Sequence, residues 1–251
     1  MDGEGGRIRG ILVEVSTMPD KVAIITGASQ GIGAGLVAAF REAGYAVVGT
    51  SRSIPPSEAP DFVAVPGDIA EPETAERVVE QALARFGRID SLINNAGVFI
   101  SKPFTDYTLD DYTAVTAVNL AGFFHVTQRA IAQMLTQGTG HVVNVTTSLV
   151  DHASSTSPAA LTSLTKGGLA AVTRALAIEY AARGLRVNAV ALGIIETPAY
   201  SPSSYAGMEA LEPIGRLGEV SDVVGGILYL ERATFVTGET LHIDGGQAAG
   251  H

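Results

Sequence analysis

The stretch Thr26-Gly27-Ala28-Ser29-Gln30-Gly31-Ile32-Gly33 has the residue types and the spacing to cradle a phosphorylated ligand. Gly27 permits a tight turn, Gly31 lets the backbone approach a pyrophosphate, and Gly33 lets the following helix pack on the preceding strand. Ser29, Gln30 and Ile32 complete the loop, and the helix behind it presents unpaired N–H groups and a positive dipole end. Such glycines also occur in plain turns. Here the loop falls between an apolar strand, Val22–Thr26, and a helical pattern, Ile32–Ala43, which is the context dinucleotide binding requires. The next strand, Ala46–Thr50, runs into Ser51-Arg52. An acidic residue at that point would bind a ribose 2′-hydroxyl, whereas arginine accommodates a 2′-phosphate. Ser51 and Arg52 therefore point to NADP as cofactor, with NAD as the second choice; the alternative for Arg52 is a solvated surface charge.

Other chemistries find no residues to carry them. Zero cysteines remove thiolate nucleophiles, disulfides and Cys-ligated zinc. The histidines at 125, 141, 152, 242 and 251 have no ligand-like spacing, so no metal is expected. There is no H-E-x-x-H, no G-x-x-x-x-G-K-[ST], and no G-x-S-x-G between a strand and a helix.

The frame that must position these groups alternates between β-branched runs and longer helical stretches. Phe62–Val65 reads as a third strand. Pro72–Phe86 enters with proline, carries acidic residues in its first turn and stops at Gly87. Ser91–Asn94 reads as a strand, Leu109–Gln137 as one long helix, and His141–Thr146 as a buried strand. Ser157-Pro158 would cap a helix running to about Ala182 and closed by Gly184. Arg186–Ala191 and Thr240–Ile243 are the last strands, with a short helix from about Val220 between them. Such alternation means right-handed βαβ units and a parallel sheet. The segment Ile194–Pro213, rich in Pro, Ser, Gly and Tyr, follows a strand end and reads as a mobile lid.

Bulk properties bound the function. At 251 residues and 46% hydrophobic, the chain can bury a core as one α/β domain without metal or disulfide. A net charge of −10 is the wrong sign for a duplex-binding surface, so no nucleic-acid partner is expected. No run of about 18 uninterrupted apolar residues exists, so neither a spanning helix nor a membrane partner is expected. The absence of cysteine fits a cytoplasmic enzyme. Residues 1–17 are Gly-rich and lack the apolar core of a signal peptide; they read as a disordered extension ahead of a domain at 18–251.

Further motifs follow the glycine loop in order: Asn94-Asn95-Ala96-Gly97, Asn119 within Val118-Asn119-Leu120, Lys166-Gly167-Gly168, Gly193 with Thr197, and Asp244-Gly245-Gly246. With the TGxxxGxG spacing at 26–33, they resemble the short-chain dehydrogenase/reductase family in its compact form, from about residue 20 to 247. Leu192 stands where the family's PGxxxT segment has proline. The resemblance implies a single-domain Rossmann-type doubly wound parallel sheet with helices on both faces, and ligands at the C-terminal strand edge. It also implies that Asp68 hydrogen-bonds adenine and Ile69 covers the ring, although Asp68 could equally make an Asx turn after Gly67. Asn95, Ala96 and Gly97 would lie against the adenosine ribose, and Gly193, Ile195 and Thr197 near the nicotinamide or a phosphate. Lys166 would hold the nicotinamide ribose hydroxyls, although most lysines are simply exposed. The implied partners are a small-molecule substrate and further copies of the chain, as a tetramer or dimer.

One departure matters. The family places a tyrosine four residues before the lysine, and on a helix that spacing lets the ammonium lower the phenol pKa. Here the position holds Thr162, flanked by Leu161 and Ser163. Thr147 or Ser148 keeps the hydroxyl that orients a carbonyl, and Asn119 would support a water relay. An aliphatic alcohol is a far poorer acid than a phenol, whose ordinary pKa is about 10. Three groups could replace it: His152, close after Ser148; Tyr200 or Tyr205 from the lid; or Ser148 with a water relayed to Lys166. The reading is an NADP(H)-dependent oxidoreductase interconverting a carbonyl and an alcohol. Its alternative is a catalytically silent NADP(H)-binding sensor or structural subunit, and Thr162 is the feature that separates them.

Overall fold

The computed structural model describes residues 20–198 and 207–250; the extension read over 1–17 and the lid residues Tyr200 and Tyr205 lie outside them. Its centre is a seven-stranded sheet of β1 (Lys21–Thr26), β2 (Tyr45–Ser51), β3 (Phe62–Pro66), β4 (Ser91–Asn94), β5 (Gly140–Thr147), β6 (Leu185–Leu192) and β7 (Thr240–Ile243). All pairings are parallel, in the order β3-β2-β1-β4-β5-β6-β7. The inner strands are buried on both faces, which is why they read as near-continuous apolar runs.

Successive residues of β1 feed two separate cores. Val22 and Ile24 join Val78 and Phe86 of α2 (Pro72–Phe86), Ile131 and Met134 of α4 (Phe123–Gln137), and Ala177 of α5 (Ala160–Tyr180). Ala23 and Ile25 join Leu36 and Phe40 of α1 (Gly31–Glu42) and Ile227 and Leu230 of α6 (Val220–Arg232) on the other face. Both layers of the expected doubly wound sandwich are therefore present.

Two boundaries differ from the sequence reading. Ser157-Pro158 do not cap α5: the helix begins at Ala160, with Ala159 at the N-cap and no side chain bonded there. The stretch read as one helix is α3 (Leu109–Thr116), a π-helical turn at Ala117–Gly122, and then α4. Thr108 starts α3 with a capping box, its hydroxyl accepting from Asp111 N–H while the Asp111 carboxylate accepts from Thr108 N–H.

The chain runs β1→β2→β3 toward one side and then returns past β1 to β4. That reversal leaves a crevice between the C-terminal ends of β1 and β4, where open α/β sheets bind ligands.

Candidate active site

Two loops wall the crevice, and one hydroxyl ties them together. Thr26 Oγ1 accepts from Asn95 N–H at 3.1 Å and from Ala96 N–H at 2.9 Å. In return, Asn95 Nδ2 donates to the carbonyl oxygens of Thr26 and Gly27 at 2.9 and 3.3 Å. Gly27 sits at φ 68°, a left-handed conformation that disfavours other residues, and a Cβ on Gly33 would lie 2.0 Å from Gly27 oxygen. α1 then starts at Gly31 with Gln30 extended at the N-cap and no side-chain cap bond, so its first N–H groups face the loop's concavity. A Cβ on Gly31 would meet Thr197 at 3.3 Å, which brings the segment after β6 beside the glycine loop.

At the end of β2 the hydroxyls of Thr50 and Ser51 are buried without a hydrogen bond, while Arg52 is exposed. Asp68 Oδ1 accepts from Ala70 N–H at 3.0 Å, so the Asx turn is present, and the neighbouring Ile69 is buried. Gly122, the last residue of the π turn, packs so tightly on Ile69 that a Cβ there would come within 2.9 Å of it.

The π turn also aims Asn119. Its Oδ1 accepts from Val98 N–H at 2.8 Å, and its Nδ2 donates to Val98 oxygen at 3.0 Å and Thr165 Oγ1 at 3.1 Å. The carboxamide thus pins the loop after β4 to α5, and π turns inside helices recur at functional sites. Lys166, one residue beyond Thr165, is buried and donates through Nζ to Val145 oxygen on β5 at 2.7 Å. Burial pulls its pKa down to about 8. Gly97 lies between these groups: a Cβ there would be 3.0 Å from Lys166 Nζ and 3.4 Å from Asn119 Oδ1. Thr162, a turn before Lys166, is 2% exposed and its Oγ1 has no hydrogen bond.

Beside this cleft opens a cavity of about 560 Å³, lined by Phe99, Thr147, Ser148, Leu192, Met208 and Gln247 among others. Ser148 is fully buried at the base of a short 3-10 turn, with Oγ bonded to Leu192 oxygen at 3.2 Å and to Gln247 Oε1. Thr147 Oγ1 accepts from Leu149 N–H at 3.3 Å. Gly193 and Ile195 border the same space. The described lining holds Ser101, Ser154, Thr156 and Ser157 as further hydroxyls and no ionisable side chain. His152 donates its backbone N–H to Ser148 oxygen at 2.8 Å but is not part of that lining. Sequence reasoning missed Gln247 and Thr165; the one signal for Gln247 was its place directly after Asp244-Gly245-Gly246.

A family model described as Enoyl-(Acyl carrier protein) reductase matches residues 27–248. Glucose 1-dehydrogenase of Gluconobacter oxydans is 33% identical over 244 residues, covering 90% of this chain and 91% of that protein. This chain belongs to the short-chain dehydrogenase/reductase family of oxidoreductases. The 3-oxoacyl-[acyl-carrier-protein] reductase FabG of Thermotoga maritima is 35% identical over 242 residues, 90% of this chain and 97% of its own. Among solved structures, ElxO with NADP bound superposes with a TM-score of 0.84 at 28% identity, covering 92% of this chain and 99% of that one. The 3-ketoacyl-(acyl-carrier-protein) reductase of Brucella melitensis complexed with NADH gives 0.84 at 29%, covering 92% and 100%. Among the described residues no helix is long and apolar enough to cross a membrane, and no group of three or more His, Cys, Asp or Glu could hold a metal.

Proposed function

We propose that this short-chain dehydrogenase/reductase interconverts a neutral carbonyl compound and its alcohol with NADP(H), without the phenolic acid of its family. The observation that carries the reading is Lys166: a buried ammonium bonded to a backbone carbonyl, with Gly97 of the loop after β4 packed against its amine. The bound nicotinamide would supply a hydride, and two features of the cleft suit such a cofactor. A Cβ at Gly97 would lie 3.0 Å from Lys166 Nζ, so glycine there leaves room beside the amine. Ser51 Oγ, buried without a partner beside the exposed Arg52, becomes available to a 2′-phosphate by rotation about χ1.

In this reading Gly27, Ser29, Gln30, Gly31, Ile32 and Gly33 hold the pyrophosphate, Ser51 and Arg52 the 2′-phosphate, and Asp68 and Ile69 the adenine. Asn95, Ala96 and Gly97 face the adenosine ribose; Gly193, Ile195 and Thr197 flank the nicotinamide; Lys166 holds its ribose hydroxyls. The NADH complex of one structural relative supports keeping NAD as the second choice. Ser148, with Thr147, orients the substrate carbonyl. Thr162 stands in place of the tyrosine, and its buried hydroxyl is too short and too weak an acid to serve. The proton then moves through Ser148 and water, with Lys166 as the ionisable end of the path. The described lining carries no ionisable side chain, which makes a buried charge there costly and favours neutral substrates. A cytoplasmic homo-oligomer, tetramer or dimer, completes the proposal.

Thr162 also favours a second reading, a non-catalytic NADP(H)-binding subunit. One experiment separates the two: NADPH consumption is followed against neutral aldehydes, ketones and quinones, alongside NADPH binding by fluorescence. Turnover by wild type supports the enzyme. Tight binding without turnover, and activity gained by Thr162→Tyr, supports the silent subunit. Absence of nucleotide binding removes both.

A further inference from the structure

Ser148 Oγ has one proton and faces two acceptors, Leu192 oxygen at 3.2 Å and Gln247 Oε1. A carboxamide can resolve this by a half turn about its terminal bond, because it carries a donor and an acceptor of nearly the same shape. With Oε1 toward Ser148, the hydroxyl proton is held on Gln247. With Nε2 toward Ser148, the amide donates to Oγ, and the hydroxyl proton is released toward Leu192 oxygen or a group entering the cavity. Gln247 is itself buried and lines the same cavity as Ser148 and Thr147. Its position is fixed by Asp244, whose carboxylate accepts from Gly246 N–H at 3.0 Å and Ala248 N–H at 2.8 Å, while its carbonyl accepts from Gln247 N–H at 3.0 Å.

We infer that Gln247 is a positioning residue whose amide orientation decides whether Ser148 can donate to a substrate oxygen. This rests on Ser148 orienting the carbonyl, as proposed above. A carboxylate at 247 can only accept, so it would hold the Ser148 proton permanently while ionised. Burial raises the pKa of such a carboxyl, so it titrates within the range of an activity assay.

The test measures kcat and KM against pH for wild type, Gln247→Glu and Gln247→Met on a neutral carbonyl substrate, with NADPH affinity by fluorescence. In Gln247→Glu, kcat falls on the order of 10²-fold once the new carboxyl ionises, the scale of one lost oxyanion donor, and recovers on acidification. In Gln247→Met, kcat falls up to about tenfold at every pH, the scale of one neutral hydrogen bond. NADPH affinity is unchanged in both. In a Ser148→Ala background Gln247→Met costs nothing more, because the effect travels through the hydroxyl. A Gln247→Glu profile that superimposes on wild type, or losses that multiply in the double variant, overturns the inference while the enzyme reading stands. A wild type that turns over no carbonyl overturns both.

Discussion

Lys166 Nζ reaches across from α5 to the backbone oxygen of Val145 on β5, 2.7 Å away, and burial there drops its pKa from 10.5 to about 8. Below pH 8 the folded protein holds a positive charge that it has largely removed from water. Such an arrangement costs stability.

The first prediction follows from the sign of that shift. Between pH 8 and 10.5 the unfolded chain keeps a lysine proton that the folded chain has lost, so wild type gains stability as pH rises, at about 1.4 kcal/mol per pH unit. Lys166→Met does not titrate. Its stability advantage over wild type is therefore greatest at pH 7 and shrinks steadily through that window. At pH 7 the gain is the relieved charge, on the order of 3 kcal/mol, less about 1–3 kcal/mol for the orphaned Val145 carbonyl. Urea unfolding of both proteins at pH 7, 8, 9 and 10 measures the gap. A gap independent of pH contradicts the prediction.

Asn119 gives the second prediction. Its carboxamide serves both main-chain groups of Val98 and the hydroxyl of Thr165. Asn119→Ala removes all three bonds at once from a site 1% exposed, which should destabilise the protein by about 2–4 kcal/mol. The loop carrying Gly97 loses its anchor to α5, so NADPH affinity should fall as well. Asn119→Asp keeps the acceptor for Val98 N–H but sets an oxygen against Val98 oxygen, and should not restore either property. Denaturant midpoints and fluorescence titration decide; an unchanged affinity in Asn119→Ala would separate the loop from nucleotide binding.

What the sequence made legible was whatever rests on local periodicity and on glycine. All seven strands lie within one residue of their expected bounds; for β1, β2, β4, β5 and β6 the reason is that a strand buried on both faces leaves an unbroken apolar run. The loop at 27–33 was readable because its glycines are sterically required there. The π turn was not, since one extra residue per turn leaves no distinct apolar period over six residues. Ser157 failed as a cap because its neighbour Pro158 gives its carbonyl to Ser101 Oγ in a loop ahead of the helix. Ser148 and Gln247 are 99 positions apart, and no local signal links two polar residues across that distance. Lys166 and Asn119 were identified by motif, but their partners Val145 and Val98 offer only backbone atoms, which sequence does not label.

The third prediction concerns acid. At the opposite edge of the sheet, His141 Nδ1 lies 2.7 Å from Glu231 Oε2. Its Nε2 faces two donors, Asn188 Nδ2 at 3.0 Å and Arg186 at 3.4 Å, so Nε2 must accept and the ring is neutral with its proton on Nδ1. Burial holds the His141 pKa below its usual value, against the pull of Glu231. As pH falls through about 6.5, the unfolded chain gains a proton that the folded chain refuses, and stability is lost from there downward. Urea midpoints should be flat in this respect above pH 7 and decline between pH 6.5 and 5. Nitrogen NMR of the imidazole should show the Nδ1–H tautomer at pH 7; an Nε2–H tautomer would refute the assignment.

The fourth prediction tests the nucleotide choice at Arg52, exposed at the end of β2 beside Ser51. If Arg52 pairs with a 2′-phosphate, that contact is charge-assisted and worth about 1.5–3 kcal/mol, so its loss weakens NADPH roughly 10- to 100-fold. Arg52→Ala should lose NADPH affinity on that scale while NADH binding stays constant. Arg52→Asp should go further, because a carboxylate repels the phosphate and accepts from a free 2′-hydroxyl, so NADH binding improves as NADPH binding collapses. Salt supplies an independent check. A contact with a solvent-exposed arginine is screened, so wild-type preference for NADPH should narrow as ionic strength rises, and the preference of Arg52→Ala should not. Fluorescence titrations of both nucleotides at low and high salt measure all of this, and equal affinity of wild type for NADPH and NADH would assign Arg52 to the solvated surface instead.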